Sequence, residues 1–409
     1  MAARPVDLAP SRVALPDVGL GRGWEATALF GLALLVLSFG LVSLYSASSF
    51  LALQQGLPSY YFVLRQAAGA ALGLVALLAC ARLPVALWER LAWPLLAGCA
   101  ILLFVIVLPG TEAIAPEING ARRWLRIGVA FQPSDPAKIA IIVWTAMLAV
   151  RKRDQLHSLS RGLAPFVIGW GIVLLPIALE PDFSTALVVA FVAATVVFAG
   201  GGRIGHFALI GILMLPVVRQ QLAVGFRTDR LLAFLDPVQH AQGSGYQTLQ
   251  SMIAIGSGGI FGQGFGEGRQ KYGFLPEAHN DFIFALLGEE WGFLGIALFV
   301  LVYMAMILVG FRIAQRATRP FAQMLAVGLT NLIAIHAVLH MAVSLGLVPA
   351  TGLALPLVSY GRSNLVVSLM AIGMLMAIAR ETDRNWTPEL QRSRYRSDVR
   401  VPGAARRHV

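Results

Sequence analysis

Charge is scarce in this chain. Only 13% of its 409 residues are Asp, Glu, Lys or Arg, against 57% hydrophobic, where a soluble domain carries about 25% charged residues. An ordinary water-facing surface is therefore excluded. Cysteine is scarcer still: Cys80 and Cys99 are the only two, and each falls inside an apolar run, so they read as small packing residues rather than a disulfide framework. No G-x-x-x-x-G-K-[ST] loop is present, which removes an ATP-driven pump. The glycine cluster Gly256 to Gly268 has no strand before it and puts Phe261 and Glu267 where a dinucleotide loop needs glycine, so that reading fails too. No fixed-period repeat or low-complexity tract occurs. His336 and His340 lie four apart on one helical face without a third ligand or adjacent carboxylate, so they read as packed or cavity-lining, and zinc is not expected.

What the chain has in quantity is apolar runs. A window of about 19 residues finds ten spans, near 25–48, 62–81, 86–108, 136–150, 163–179, 183–199, 204–222, 281–311, 321–347 and 355–379. The expected fold is all-α, a polytopic ten-helix membrane domain over 25–380 with a large extracytoplasmic loop at 219–280. A cytoplasmic tail at 1–24 and a basic cytoplasmic tail at 381–409 flank it. With the N-terminus inside, roughly 21 of the 32 Lys and Arg fall on the inner side, as the positive-inside rule asks. The formal charge of +11 is spread over loop ends and tails without a separate basic domain, which fits membrane orientation and anionic lipid rather than nucleic acid. Residues 1–24 contain prolines and arginines but no apolar core, so the first run is expected to be an uncleaved anchor.

The stretch 243–295 turns from apolar to polar and glycine-rich and then re-enters an apolar helix at Asp281. Glu277, His279 and Asp281 stand at that re-entry, where water meets lipid and where chemistry on a lipid-linked substrate could occur. Helix capping is the plainer role for Asp281, as it is for Asp182 ahead of Ser184 and Thr185. In 109–138, Arg122, Arg123 and Arg126 accompany Trp124 where an interfacial helix is expected. Outward-facing arginines run against the positive-inside bias, and an anionic headgroup would give them a reason. Lys138 follows, close enough to the surface to snorkel outward. Glu289 and Glu290 lie about 12 Å further along the helix from Asp281 and are expected inside the bilayer, partnered by Lys138 or Arg65 or protonated. The prolines and glycines of LVPATGLALPLVSYGRSN break a helical pattern, and in lipid such a break must line a cavity or be buried in protein.

The segments NGARRWLRIGVAFQPSDPAK, EPDFSTALVV, RLLAFLDP, GYQTLQSMIAIGSGGIFGQGFGEGRQKYGFLPEAHNDFIFALLGEEWGFLG and VPATGLALPLVSYG, in this order, resemble the signature segments of the SEDS family (FtsW, RodA, SpoVE). The likeness spans about 25–380 and is closer to the FtsW and SpoVE branch in its LLAFLDP, GYQTLQS and RQK wording. It implies a ten-helix peptidoglycan glycosyltransferase of the bacterial inner membrane that polymerises lipid II. It also implies a class B penicillin-binding transpeptidase and other division or elongation proteins as partners. The family's essential aspartate carries over to Asp281. The chain departs from the family pattern at Arg362 and Asn364, where SYGRSN replaces the usual SYGGSS, and at His336, His340, Asp135 and Asn280.

Joining lipid-linked disaccharides requires a base for the attacking hydroxyl and positive charge for the departing diphosphate. Asp281 is the candidate base. Arg122, Arg123 and Lys138, with Arg269 and Lys271 behind them, are the candidate cations. Gln250, Ser251, Glu277, His279 and Ser359 are read as further substrate contacts. No cofactor is evident, and a divalent cation is left open. A lipid II flippase and a non-catalytic division scaffold are the alternatives; strand synthesis in detergent separates the first from an enzyme, and complementation by Asp281→Asn the second.

Overall fold

The computed structural model describes residues 23–117, 120–222 and 225–385, so the two tails lie almost wholly outside the described residues. Among those residues the chain is helical apart from one hairpin. In order come α1 (Trp24–Gln54), α2 (Tyr61–Arg82), α3 (Val85–Val107), β1 (Leu125–Ile127), β2 (Val129–Phe131), α4 (Ser134–Arg151), α5 (Ala164–Leu179), α6 (Phe183–Ala199), α7 (Ile204–Leu222), α8 (Gly225–Leu235), α9 (Tyr246–Ser257), α10 (Ile283–Arg316), α11 (Pro320–Ser344) and α12 (Arg362–Asn385). Seven described helices are long and apolar enough to cross a membrane, and α6 and the first part of α7 are shorter apolar helices. The chain is a multi-pass membrane protein.

Two expectations about loops change. Of the arginines around Trp124, Arg122 and Arg123 precede, and Arg126 lies in, a short antiparallel hairpin that pairs Leu125 with Phe131 and Ile127 with Val129, not an interfacial helix. Gly128, with φ of +75°, makes the reversal, and the apolar and β-branched residues on either side suit a strand. The 219–280 region also contains α8 and α9. A 19-residue hydropathy window averages over helices of 11 and 12 residues and does not register them.

The bundle is arranged by side-chain size. Ser134 to Met147 of α4 are buried almost throughout, as expected of an apolar helix enclosed on all sides. Small residues let backbones approach: a Cβ on Gly373 of α12 would lie 2.3 Å from the Leu77 carbonyl of α2, and one on Gly169 of α5 would lie 2.1 Å from the Trp144 ring of α4.

One end of the bundle is closed by ion pairs. Glu25 at the start of α1 accepts from Arg312 at 3.0 Å and from Arg316, and Arg316 also reaches Asp383 at 3.3 Å. Arg319 bridges Glu89 and Glu381. From Glu25, Ser46 lies about 31 Å along α1 at 1.5 Å per residue, close to the ~30 Å of a hydrocarbon core. Ser46 donates to Glu290, so Glu290 lies level with a residue about 31 Å along α1 from the Glu25 ion pairs.

Two residues beyond Glu290, α10 is broken. Gly292 has φ 65° and ψ −168°, a conformation open to glycine alone. The break frees the carbonyls of Glu289 and Glu290, and the amides of Gln263 and Gly264 donate to them at 2.9 and 3.1 Å. In return, Phe293 and Leu294 donate to the carbonyls of Gly259 and Ile260 at 2.9 and 3.1 Å. The glycine cluster is thus a backbone splint laid along a broken helix. A Cβ on Gly292 would sit 2.2 Å from the Gly262 amide nitrogen, and one on Gly262 would sit 2.2 Å from the Glu290 carbonyl oxygen. Gly292→Ala is therefore expected to cost about 3 kcal/mol or more, read as a lower thermal unfolding midpoint of the detergent-solubilised protein, with Gly256→Ala, which meets open space, as the silent control.

Candidate active site

At the end of the bundle away from the ion pairs, Asp281 lies in a turn two residues before α10. Glu277 shapes that turn with φ of +52°, and its carbonyl accepts from the amides of Asn280 and Asp281, both at 3.0 Å. The N-cap of α10 is Phe282, without a side-chain hydrogen bond to the first turn, so Asp281 does not cap the helix. Asp182 does cap α6, accepting from the Thr185 amide at 3.3 Å.

The Asp281 turn is fastened to the non-helical segment between α11 and α12. Ser359 Oγ donates to the Asn280 carbonyl at 2.7 Å and accepts from the Leu355 amide at 2.8 Å. The Tyr360 amide donates to the His279 carbonyl at 3.1 Å. Gln66 of α2 spans the same segment, donating to the Ser359 carbonyl at 2.9 Å and accepting from the Gly361 amide at 3.2 Å. The His279 ring packs against Phe62 and Tyr360. His279 and Ser359, expected at the substrate, are buried and hold Asp281 in place. Gln66 is not among the contacts expected from sequence, although an amide inside an apolar run is itself a signal that a broken backbone needs partners.

The Asp281 carboxylate is half-buried and accepts no hydrogen bond from any described residue. Gly352 faces it, since a Cβ there would come within 3.7 Å of Oδ2. Burial raises the acid above the usual carboxylate range and Glu277 and Asp182 push the same way, while Arg230 and Arg123 oppose them, leaving it at about 6. Four separate parts of the sequence thus converge: the run before β1, the connection between α5 and α6, α8, and the approach to α10. Arg123 donates to the carbonyls of Glu180 and Pro181 at 3.2 and 2.9 Å, which fixes its guanidinium while leaving other N–H donors available. Arg227 lies over the Phe183 ring, one turn of α8 from Arg230.

Glu180 is the other residue whose setting the sequence did not reveal. Its side chain is 2% exposed and neither carboxyl oxygen has a partner. Burial, reinforced by Asp182 and partly offset by Arg123, pushes it up to about 8, so at neutral pH it is a carboxylic acid. That keeps one negative charge away from the place where an anion would approach Arg123.

Several expected contacts lie elsewhere. Arg122 pairs with Glu112 at 2.8 Å. Lys138 does not snorkel; it is buried within α4 and paired with Asp135 at 2.9 Å. Lys271 is buried as well, 3.1 Å from Glu290 and 2.9 Å from Ser46. Lys271, and not Lys138 or Arg65, is therefore the partner of Glu290. Among the described residues Glu289 makes no ion pair; its carboxylate accepts from the amides of Arg269 and Gln270 at 2.8 and 3.2 Å. Ser251 Oγ donates to the Ser344 carbonyl at 2.6 Å, tying α9 to the end of α11, and neighbouring Gln250 is half-buried. Among the described residues no group of three or more His, Cys, Asp and Glu could hold a metal ion.

A family model covering FtsW, RodA and SpoVE, described as "Cell cycle protein", matches residues 26–384. The chain belongs to this family. A probable peptidoglycan glycosyltransferase FtsW of Geobacter sulfurreducens is 39% identical over 85% of this chain and 93% of its own. The stage V sporulation protein E of Bacillus subtilis is 36% identical over 85% and 95%. Among solved structures, a chain from a peptidoglycan synthase complex described for its coordination of polymerization and crosslinking superposes with a TM-score of 0.72 at 27% identity, covering 88% of this chain and 98% of that one.

In this member of the FtsW/RodA/SpoVE family the Lys271–Glu290 pair holds the long loop, and its strength can be measured. Removing one partner of a buried pair costs roughly 3–5 kcal/mol, so Lys271→Met is expected to lower the unfolding midpoint sharply. Replacing both, as Lys271→Met with Glu290→Leu, is expected to recover much of the loss, measured in the same thermal scan.

Proposed function

We propose that this chain is a peptidoglycan glycosyltransferase that polymerises lipid II at the outer face of the cytoplasmic membrane. The observation that carries the reading is the Asp281 carboxyl, which accepts no hydrogen bond from a described residue, is raised toward neutrality and is acted on by Arg123 and Arg230 at the end of the bundle opposite the arginine-rich ion pairs. Under the positive-inside rule, the end holding Arg312, Arg316 and Arg319 is cytoplasmic, which makes the Asp281 end external. Ten helices then cross, α8 and α9 belong to the external region, and both termini are cytoplasmic.

In the reaction a sugar hydroxyl of one lipid-linked chain attacks the anomeric carbon of another. A C–O bond forms, the bond from that carbon to the diphosphate oxygen breaks, and the hydroxyl proton passes to the Asp281 carboxylate. A base with its acid near neutrality accepts a proton without being far from the ionised form it needs. The diphosphate leaves with its bonding electron pair and needs cations rather than an acid. Arg123, already oriented by two backbone carbonyls, and Arg230 on α8 supply them. Lys138 and Lys271 are engaged in buried pairs, so the diphosphate-binding role expected of them passes to these arginines. Neutral Glu180 removes a repulsive charge from behind Arg123.

Transport of the same lipid would require a further state open at the cytoplasmic end, which the bridges among Glu25, Arg312, Arg316 and Asp383 would have to release. The relatives named as glycosyltransferases support the catalytic reading, and the synthase complex supports a crosslinking transpeptidase as the partner.

Asp281→Asn keeps size and polarity while removing the base. It is expected to leave the unfolding midpoint unchanged and to abolish polymerisation of purified lipid II, assayed with and without a cognate class B transpeptidase; glycan strands from a folded Asp281→Asn protein would overturn the assignment. In the wild type, activity is expected to fall as pH drops through about 6, where Asp281 takes up a proton. Glu277 raises that acid, so Glu277→Gln should move the acid limb of the pH–rate profile to lower pH.

A further inference from the structure

Two arginines at the external end have no part in the Asp281 site. Arg65 is exposed in the first turn of α2, beside Leu64, which is 63% exposed on the face that α2 turns toward lipid. Arg362 opens α12, and its stem lies on Gly69 of α2: a Cβ at Gly69 would meet the Arg362 Cγ at 3.0 Å and Cβ at 3.2 Å. Gly69 is one helical turn after Arg65, about 6 Å along the axis. The two side chains therefore share one seam between α2 and α12.

Their neighbours are aromatic rather than acidic. The Arg65 guanidinium lies 5.2 Å from the centre of the Tyr61 ring and donates to its hydroxyl. Both arginines act on the Tyr360 hydroxyl, whose acid burial raises and they lower. Among the described residues neither pairs with a carboxylate, whereas Arg312, Arg316 and Arg319 at the opposite end all do. Like charges a turn apart repel, and a cation at a helix N-terminus is set against the helix dipole. At a membrane boundary both penalties are larger than in water. An anion between the guanidinium groups reverses their sign.

We propose that Arg65 and Arg362, flanked by Tyr61 and Tyr360, form a binding site for the phosphate group of a membrane lipid at the external boundary. Planar guanidinium groups match phosphate oxygens in pairs, and exposed apolar residues of α2 (Leu64, Leu72 and Val75) offer the acyl or prenyl chain a path down the lipid face. The phosphate comes from a phospholipid or from a polyprenyl diphosphate. The cations that act on Asp281 are Arg230 and Arg123, and the test of this second pair needs no turnover.

The full-length protein in a neutral detergent is titrated with phosphatidylglycerol, with undecaprenyl diphosphate and with diacylglycerol, and bound lipid is read by native mass spectrometry. A charge-assisted hydrogen bond supports about tenfold in affinity. Arg65→Gln with Arg362→Gln is therefore expected to weaken at least one phosphate lipid by about tenfold or more, leaving diacylglycerol unaffected, and Arg362→Lys, which keeps the charge but loses the planar fork, is expected to weaken it less than Arg362→Gln. Loss with phosphatidylglycerol alone assigns the site to a phospholipid, and loss with undecaprenyl diphosphate alone assigns it to a second polyprenyl molecule. Unchanged retention of both overturns the proposal. Should the double variant fail to fold, Arg65→Gln alone, at an exposed position, is expected to weaken a phosphate lipid about threefold, and unchanged affinity for both overturns the proposal in the same way.

Discussion

A broken helix in an apolar slab must find partners for the backbone groups it releases, and the break at Gly292 is where this constraint shapes the molecule. Carbonyls of Glu289 and Glu290 and amides of Phe293 and Leu294 would each be costly in lipid if left bare. The chain meets them with Gly259 to Gly264, a segment that can approach so closely only because its glycines lack side chains. Ser46, Lys271 and the two glutamates then anchor the same segment from the other side. Everything between α9 and α10, including the turn that holds Asp281, depends on that attachment.

The second break, between α11 and α12, obeys the same rule with different means. Here side chains satisfy the backbone: Gln66 brackets Ser359 to Gly361, Ser359 reaches both Leu355 and Asn280, His340 Nδ1 meets the Leu353 carbonyl at 2.7 Å, and Tyr303 donates to the Pro356 carbonyl. Because a carbonyl can only accept, His340 carries its proton on Nδ1. The two breaks meet at Asn280 and Ser359. Asp281 is therefore fixed by backbone contacts on both flanks while its own carboxylate is left open, which is the condition for a positioned general base.

The long apolar segments were legible because hydropathy averages well over helices of 16 to 34 residues, and Asp281 stood out as a candidate because a carboxylate at the edge of such a segment is rare. What could not be read was pairing. Lys138 and Lys271 looked equivalent to Arg123 as candidate cations, yet three residues separate Lys138 from Asp135 on one helix, a local pair that spacing could have shown. The Lys271 to Glu290 pair depends on the α10 break, which a hydropathy pattern smooths over. Arg230 stood in an ordinary loop sequence, and only the fold of α8 carries it to Asp281. Glu180 carried no distinguishing signal in the sequence; that its buried carboxyl oxygens find no partner while Asp182 reaches the Thr185 amide is a tertiary fact.

That difference between neighbouring carboxyls governs how the site handles charge. Asp182 accepts from the Thr185 amide, whereas Glu180, without a partner, is raised by burial and the nearby Asp182 charge, only partly offset by Arg123. At Asp281 burial and Glu277 raise the acid while two arginines lower it. On the proposed mechanism, an arriving diphosphate would add negative charge near Arg123 and Arg230 and weaken their hold on the Asp281 anion. Binding would then raise the basicity of the proposed base, and departure of the diphosphate would lower it again, favouring release of the proton before the next addition.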